Sequence, residues 1–223
     1  MFSTIRTRLA GSFRSLIDEP RRIPWKFRYG LLAHAASGLR RSHARFTHLH
    51  TNVQFGEGVY LGPGFALRIL EHGSLVLGND VQVRRNFLCE IGGNGSVKVG
   101  DGCVFTGMVL IQISTVLEIG PDTHIGQGCV IVDGNHRFRD YRVHWNEQGY
   151  DLRPIRIGSG AAIHSNCIVA HNVGDRAVIG ANSVVLKPIP PYCIAVGAPA
   201  RVVVYFGPPE EKADLLAGYN VDV

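Results

Sequence analysis

From residue 55 onward an aliphatic or aromatic residue followed by Gly recurs on a six-residue period. FGEGVY (55–60), LGPGFA (61–66), LGNDVQ (77–82), VGDGCV (99–104), IGPDTH (119–124), IGQGCV (125–130), IGSGAA (157–162) and IGANSV (179–184) share this form. Degenerate units between them keep only the leading apolar residue. The leading residues fall in threes: Phe55, Leu61, Leu67; Leu77, Val83, Cys89; Val99, Phe105, Ile111; Ile119, Ile125, Ile131; Ile157, Ile163, Val169. Three six-residue units make one coil, and such a period predicts a repeat architecture in which each coil covers the edge of the next. Successive coils start 22, 22, 20 and 38 residues apart, so every excess residue falls after the third strand of a coil. The excess therefore maps to one corner of a triangular prism. In this prism the leading residue points inward, and the residue four places on points to the core near a corner, where small or slim side chains are expected. The 27 glycines are spread along the chain, as many tight turns require. Asn79, Asp80, Asp101, Asp122 and Asn182 suit the turns through positive φ or side-chain bonding. Periodicity does not fix the handedness of the coil.

The pattern divides the chain into a helical segment (1–50), the coil domain (51–204) and a tail with a short helix (205–223). Residues 1–50 carry ten Lys/Arg against Asp18 and Glu19, a local balance of +8, so the other 173 residues sum to −3 of the overall +5. Phe2, Ile5, Leu9, Phe13 and Leu16 recur at helical spacing up to Pro20. A second helix is expected from Pro24 through Trp25, Phe27, Leu31, Leu32, Ala35 and Leu39. An Arg-rich amphipathic helix can lie on anionic lipid, and it can also cap the end of a coil stack; both roles are compatible. The segment has no nucleic-acid motif, so no nucleic-acid partner is expected. No apolar run approaches a membrane span, and the N-terminus lacks a secretory signal, so the expected location is cytoplasmic, with contact at the inner membrane face as an option. The five cysteines, Cys89, Cys103, Cys129, Cys167 and Cys193, are dispersed and form no CxxC pair. They read as buried small apolar residues. In PPEEKADLLAGYN (208–220), Glu210 and Glu211 suit a helix first turn and Gly218 its C-terminal cap.

The series of units together with the ending VIGANSVVLKPIPPYCIAVGAPARVV (178–203) resembles the hexapeptide-repeat acyltransferases, most of all those that O-acetylate sugars. Coverage is about residues 55–204. The ending is the most specific part: V-I-G-A-x-S-V-V, a Lys, an I-P-P turn, then G-x-P-A-R-V. The resemblance implies an all-β left-handed parallel β-helix. It also implies a homotrimer whose sites lie between subunits, acetyl-CoA or another acyl-CoA as co-substrate, and no metal. Two departures fall near the expected coenzyme A groove. IGSGAAIHSN (157–166) has Ala162 where the family has Trp and His164 where it has Gly, and VAHNVGDRAV (169–178) is about two residues short of a coil. They leave the identity of the acyl group open.

The largest interruption of the repeat, VDGNHRFRDYRVHWNEQGYDLRP (132–154), is polar and contains His136 and His144. Long excursions from a rigid scaffold tend to carry function. By resemblance, Asp133-Gly134-Asn135-His136 matches an Asp-x-x-His element whose His is the catalytic base. Asp133, or a main-chain carbonyl, would hold the tautomer. The same resemblance assigns coenzyme A contacts to Ser165, Ala181, Leu186, Lys187 and Arg201, with Lys187 and Arg201 at the phosphates. Asn86 and Glu90 are the nearest match to the family's acceptor contacts, for a sugar or lipid-linked sugar. Two other readings use the same fold. A γ-type carbonic anhydrase needs three histidines at fixed positions, whereas His164 and His171 here are seven apart. A non-catalytic scaffold or glycolipid-binding module would not need the loop His, the Lys or the G-A-P-A-R ending.

Overall fold

A computed structural model describes residues 30–219. Contacts divide the chain into two units, 1–36 and 37–223, and the second contains the repeats. Its three main sheets hold five, eight and six strands. The first runs through Asn52–Phe55, Ser74–Leu77, Ser96–Val99, Val116–Ile119 and Ile155–Ile157. Strands within each sheet are parallel, and the chain visits the three sheets in turn, as a left-handed β-helix. One exception is Arg201–Tyr205, which pairs antiparallel with Cys193–Val196 at the end of the second sheet.

The leading residues of the repeats are the ones in register. Phe55, Leu77, Val99, Ile119 and Ile157 form one column. Leu61, Val83, Phe105, Ile125 and Ile163 form the second, and Leu67, Cys89, Ile111, Ile131 and Val169 the third. Nearly all are fully buried, so the period-two alternation of each short strand sends one row into a continuous core. All five cysteines are free and buried in it, and burial pushes the Cys103 thiol up to about 11. The next turn of the helix is short: Val173 bridges to Ile157, sixteen residues back.

The corners follow the expected rule with one correction. Before the second sheet sit Val59, Val81, Cys103, Thr123, Ala161 and Ala177, all buried. Thr123 is accommodated because its hydroxyl donates to the Gly158 carbonyl at 2.8 Å. Before the third sheet, however, the first two coils carry Phe65 and Phe87 rather than slim residues. Their rings lie parallel within 2° at 5.7 Å, so each flat ring fits close to the coil spacing of about 4.8 Å. Asp80, Asp122 and Asn182 have positive φ as expected. Asn79 and Asp101 act instead through their side chains, accepting from the Glu57 and Asn79 amides of the preceding coil at 2.9 and 2.7 Å.

The helix expected over 24–39 continues beyond its expected end to Thr47, and its expected start at 24–29 lies outside the described residues. Helix α1 runs Leu31–Thr47, and its buried face is Ser37 and Ala44 while Leu39 is exposed. The reason is what that face meets. The first coil has no preceding coil to pair with, so its main-chain groups need other partners. Ser37 Oγ accepts from the Leu61 amide at 2.8 Å, and Arg40, Arg41 and Arg45 donate to the carbonyls of Leu61, Val59 and Phe55 at 2.9, 3.0 and 3.4 Å. A polar, small-residue face does this work, and apolar periodicity does not reveal it. These three arginines are committed to the β-helix; the other basic residues of the lipid-contact expectation, and the helix expected from Phe2 to Leu16, lie outside the described residues. Ser37 is 1% exposed, so Ser37→Ala leaves a buried N–H without its acceptor. We expect a loss of about 1–3 kcal/mol in urea unfolding; an unchanged midpoint would remove Ser37 from the cap.

At the other end the tail forms a 3-10 turn, Pro209–Glu211, and the short helix α2, Lys212–Leu216, with Gly218 at φ +82 just beyond it. Leu216 packs on the core. Among the described residues no helix is long and apolar enough to cross a membrane.

Candidate active site

The long excursion leaves the third sheet after the strand Val130–Val132, at the corner where all the excess residues fall. Its root is Asp133, 3% exposed. Asp133 Oδ2 accepts from the Ser114 amide at 2.8 Å, the Thr115 amide at 2.6 Å and Thr115 Oγ1 at 2.7 Å. The carboxylate therefore clamps the loop to the corner of the preceding coil. This corrects the expected pairing of Asp133 with the imidazole: His136 Nδ1 is buried and has no hydrogen-bond partner among the described residues.

Beyond Asp133 the chain forms a hairpin of Gly134–His136 against Tyr150–Leu152. The Arg153 amide donates to the Asp133 carbonyl at 2.8 Å and closes its base, and the Arg137 amide donates to Gly149 at 2.9 Å. A Cβ at Gly134 would stand 2.3 Å from the Asp151 carbonyl oxygen, so the strands approach this closely only with Gly there. The hairpin holds His136 between two rings, Trp145 edge-on at 4.6 Å and Tyr150 at 4.2 Å. Aromatic packing thus fixes an imidazole that no carboxylate orients. His144 is elsewhere: it precedes the 3-10 turn Trp145–Glu147, is exposed, and pairs through Nδ1 with Asn146 Oδ1.

His136 faces a cleft of about 340 Å³. Ala170 and Leu186, on the outer side of the third sheet, supply an apolar part of its lining, and Phe138, Arg137, Arg139 and Arg153 come from the loop. Arg137 is tied across the hairpin to Asp151 at 2.7 Å. Arg139 and Arg153 have no carboxylate partner among the described residues. His171 lies beside Arg153 in an adjoining hollow; burial and then the Arg153 charge lower its pKa. Lys187 and Arg201 share a separate cavity of about 210 Å³ with Pro188, Val202 and Tyr219. Leu186, which lines the His136 cleft, and Lys187, which lines this second cavity, are adjacent in sequence.

The remaining expected contacts are not gathered here. Ser165 and Ala181 sit in stacked turns, joined by the Asn182 amide donating to the Ser165 carbonyl at 3.0 Å, at the edge where the chain enters the third sheet. Leu186 and Lys187 lie where it leaves. Asn86 is a turn residue at φ +52 whose amide donates to Pro63. Glu90 pairs with Arg68 at 3.0 Å and is two strands from Val132 in register, about 10 Å away. Neither lines the cleft around His136. Sequence reasoning missed Arg137, Phe138, Arg139, Trp145, Tyr150 and Arg153; the available signal was the recurrence of Arg and aromatic residues inside the excursion. Among the described residues no three His, Cys, Asp or Glu side chains come together as a metal-ligand set.

No family model matches the chain. A probable acetyltransferase of Mycobacterium tuberculosis is 33% identical over 154 residues, covering 68% of this chain and 49% of that protein. Galactoside O-acetyltransferase of Escherichia coli is 30% identical over 132 residues, covering 56% of this chain and 54% of that protein. The chain thus spans about half the length of these curated relatives. Among solved structures, the N-acyltransferase AntD of Bacillus cereus, in complex with dTDP-4-amino-4,6-dideoxyglucose and coenzyme A, superposes with a TM-score of 0.59. It is 16% identical, over 77% of this chain and 93% of that one, which is a likeness of fold. In its repeats and in its fold the chain is a relative of the hexapeptide-repeat acyltransferases.

Proposed function

We propose that the protein transfers an acetyl or other short acyl group from acyl-CoA to a hydroxyl of a sugar or glycoconjugate, with His136 as general base. The observation that carries this reading is the placement of His136. It stands on a hairpin in a cleft lined by Leu186, whose sequence neighbour Lys187 lines a second cavity with Arg201. Acetyltransferase relatives and the coenzyme A bound in the AntD structure support the donor.

The chemistry needs few parts. A thioester is already activated, while a hydroxyl is a weak nucleophile at neutral pH. With Nδ1 enclosed, Nε2 is the nitrogen left to take the hydroxyl proton as the oxygen attacks the thioester carbonyl. The tetrahedral adduct expels the coenzyme A thiolate, which recovers a proton from the imidazolium. Leu186 and Ala170 flank the pantetheine arm, and Lys187 and Arg201 meet the phosphates. Ser165 and Ala181 lie across the sheet from Leu186, so a donor that touches all three residue positions would have to draw them from two copies of the chain. The family resemblance implies a homotrimer, and the proposed sites are then shared between subunits.

Lys187→Ala and Arg201→Ala should each weaken acetyl-CoA binding by about 1–3 kcal/mol in titration calorimetry, with the acceptor KM almost unchanged. Wild-type protein that binds no acetyl-CoA would reject the proposed activity, and unaltered donor affinity in both variants would reject the phosphate assignment.

A further inference from the structure

Given the acyl-transfer reading above, the unpaired basic groups of the His136 cleft bear on the acceptor. The lining carries Arg137, Arg139 and Arg153 against the single carboxylate of Asp151, a balance of +2 with His136 uncharged. This stands against residues 51–223 as a whole, which sum to −3. Asp151 neutralises Arg137 through the 2.7 Å contact, so the surplus resides on Arg139 and Arg153. Arg153 is fixed at the hairpin base through its amide, and Arg139 follows Phe138 on the outgoing arm. Both therefore border the same space as the base. The donor's phosphates have a separate basic cavity at Lys187 and Arg201. A donor lying across Leu186 with its thioester at His136 leaves the Arg139–Arg153 side of the cleft to the other substrate.

We propose that the acceptor is an anionic sugar, carrying a phosphate or carboxylate that Arg139 and Arg153 hold while a neighbouring hydroxyl is presented to His136. Guanidinium groups offer planar paired donors that match these oxyanions. The 69% exposed ring of Phe138, in the same lining, is an apolar surface for the sugar's C–H face. A neutral acceptor would close the cleft over two cations with nothing to replace their hydration. Arg139 and Arg153 thus act in specificity, separately from proton transfer.

The test uses the full chain with Trp25→Phe, which leaves Trp145, beside His136, as the sole Trp fluorophore. Glucose, glucose 6-phosphate and glucuronate are titrated in the presence of saturating coenzyme A. Calorimetry on the same samples, before saturation, gives the coenzyme A affinity. One of the two anionic sugars should bind at least about tenfold more tightly than glucose, and the preference should shrink as salt rises. The phosphate and carboxylate arms identify the preferred oxyanion. The Arg139→Ala/Arg153→Ala double variant should lose the preference and keep its coenzyme A affinity; Arg139→Lys/Arg153→Lys should recover part of the preference. Equal binding of all three sugars, absence of binding by all three, or a preference that survives the double Ala variant overturns the inference. Loss of coenzyme A affinity in that variant also overturns it, by moving the two arginines to the donor. Wild-type protein that fails to bind coenzyme A rejects the acyltransferase reading itself, a distinct result.

Discussion

His136→Ala is expected to lower turnover about 10²–10⁴-fold at saturating donor and acceptor, while acetyl-CoA affinity and the unfolding midpoint stay close to wild type. The expected loss lies in kcat because the imidazole acts on the proton transferred in the transition state. Donor binding should survive because Lys187 and Arg201 occupy another cavity. Folding should survive because the hairpin is anchored through Asp133 and Arg153, on main-chain and carboxylate contacts that the substitution leaves in place. His144→Ala is the control. His144 lies on the same excursion and is similarly polar, but it is exposed, pairs with Asn146 and does not line the cleft. It should keep most of its turnover. Release of free thiol from acetyl-CoA measures both variants. If His136→Ala retains more than about a tenth of wild-type kcat while His144→Ala is nearly inactive, His144 is the base. If neither is impaired, the hairpin does not supply the base.

The difference between the two histidines marks how far the sequence is legible. Both stand in one polar insertion, and only the resemblance to an Asp-x-x-His element separates them before the hairpin is seen. The fold is far more readable because its determinant is one-dimensional. Each leading residue, from Phe55 to Val169, both opens a six-residue unit and stacks on its counterpart one coil away, so spacing in sequence becomes register in space. Corner chemistry is legible to the extent that it repeats: the Phe65–Phe87 stack breaks the small-residue rule and still fits, because a flat ring is as thin as a coil. Contacts that join different elements are not legible. Arg40 and Arg41 of α1 bond to carbonyls about twenty residues away, and main-chain acceptors leave no trace in side-chain pattern. Arg139 and Arg153 are brought to one cleft by a hairpin whose pairing carries no strong strand signal.

Asp133 is the sharpest case, because its two roles predict opposite experiments. An Asp that orients the catalytic imidazole would, when replaced, lower kcat and spare stability. The observed carboxylate is buried and accepts three hydrogen bonds through one oxygen, from Ser114 N, Thr115 N and Thr115 Oγ1. Removing it takes the acceptor from two part-buried amides, at up to about 1–3 kcal/mol for a group left unsatisfied and less where water reaches it. Asp133→Ala should therefore cost about 2–4 kcal/mol in all. In a domain of this size that corresponds to a fall of roughly 10 °C in Tm. Turnover of the folded fraction should also drop, since the hairpin loses its anchor and His136 its position between Trp145 and Tyr150. Asp133→Asn separates the causes. Its amide oxygen still accepts from Ser114 and Thr115, so it should recover much of the Tm. Because no carboxylate touches His136 Nδ1, Asp133→Asn should also recover most of kcat. Thermal unfolding and thiol-release kinetics on the same preparations decide the matter. A Tm unchanged in Asp133→Ala, with kcat lost equally in both variants, would return Asp133 to the imidazole and reject its assignment as the clamp of the loop.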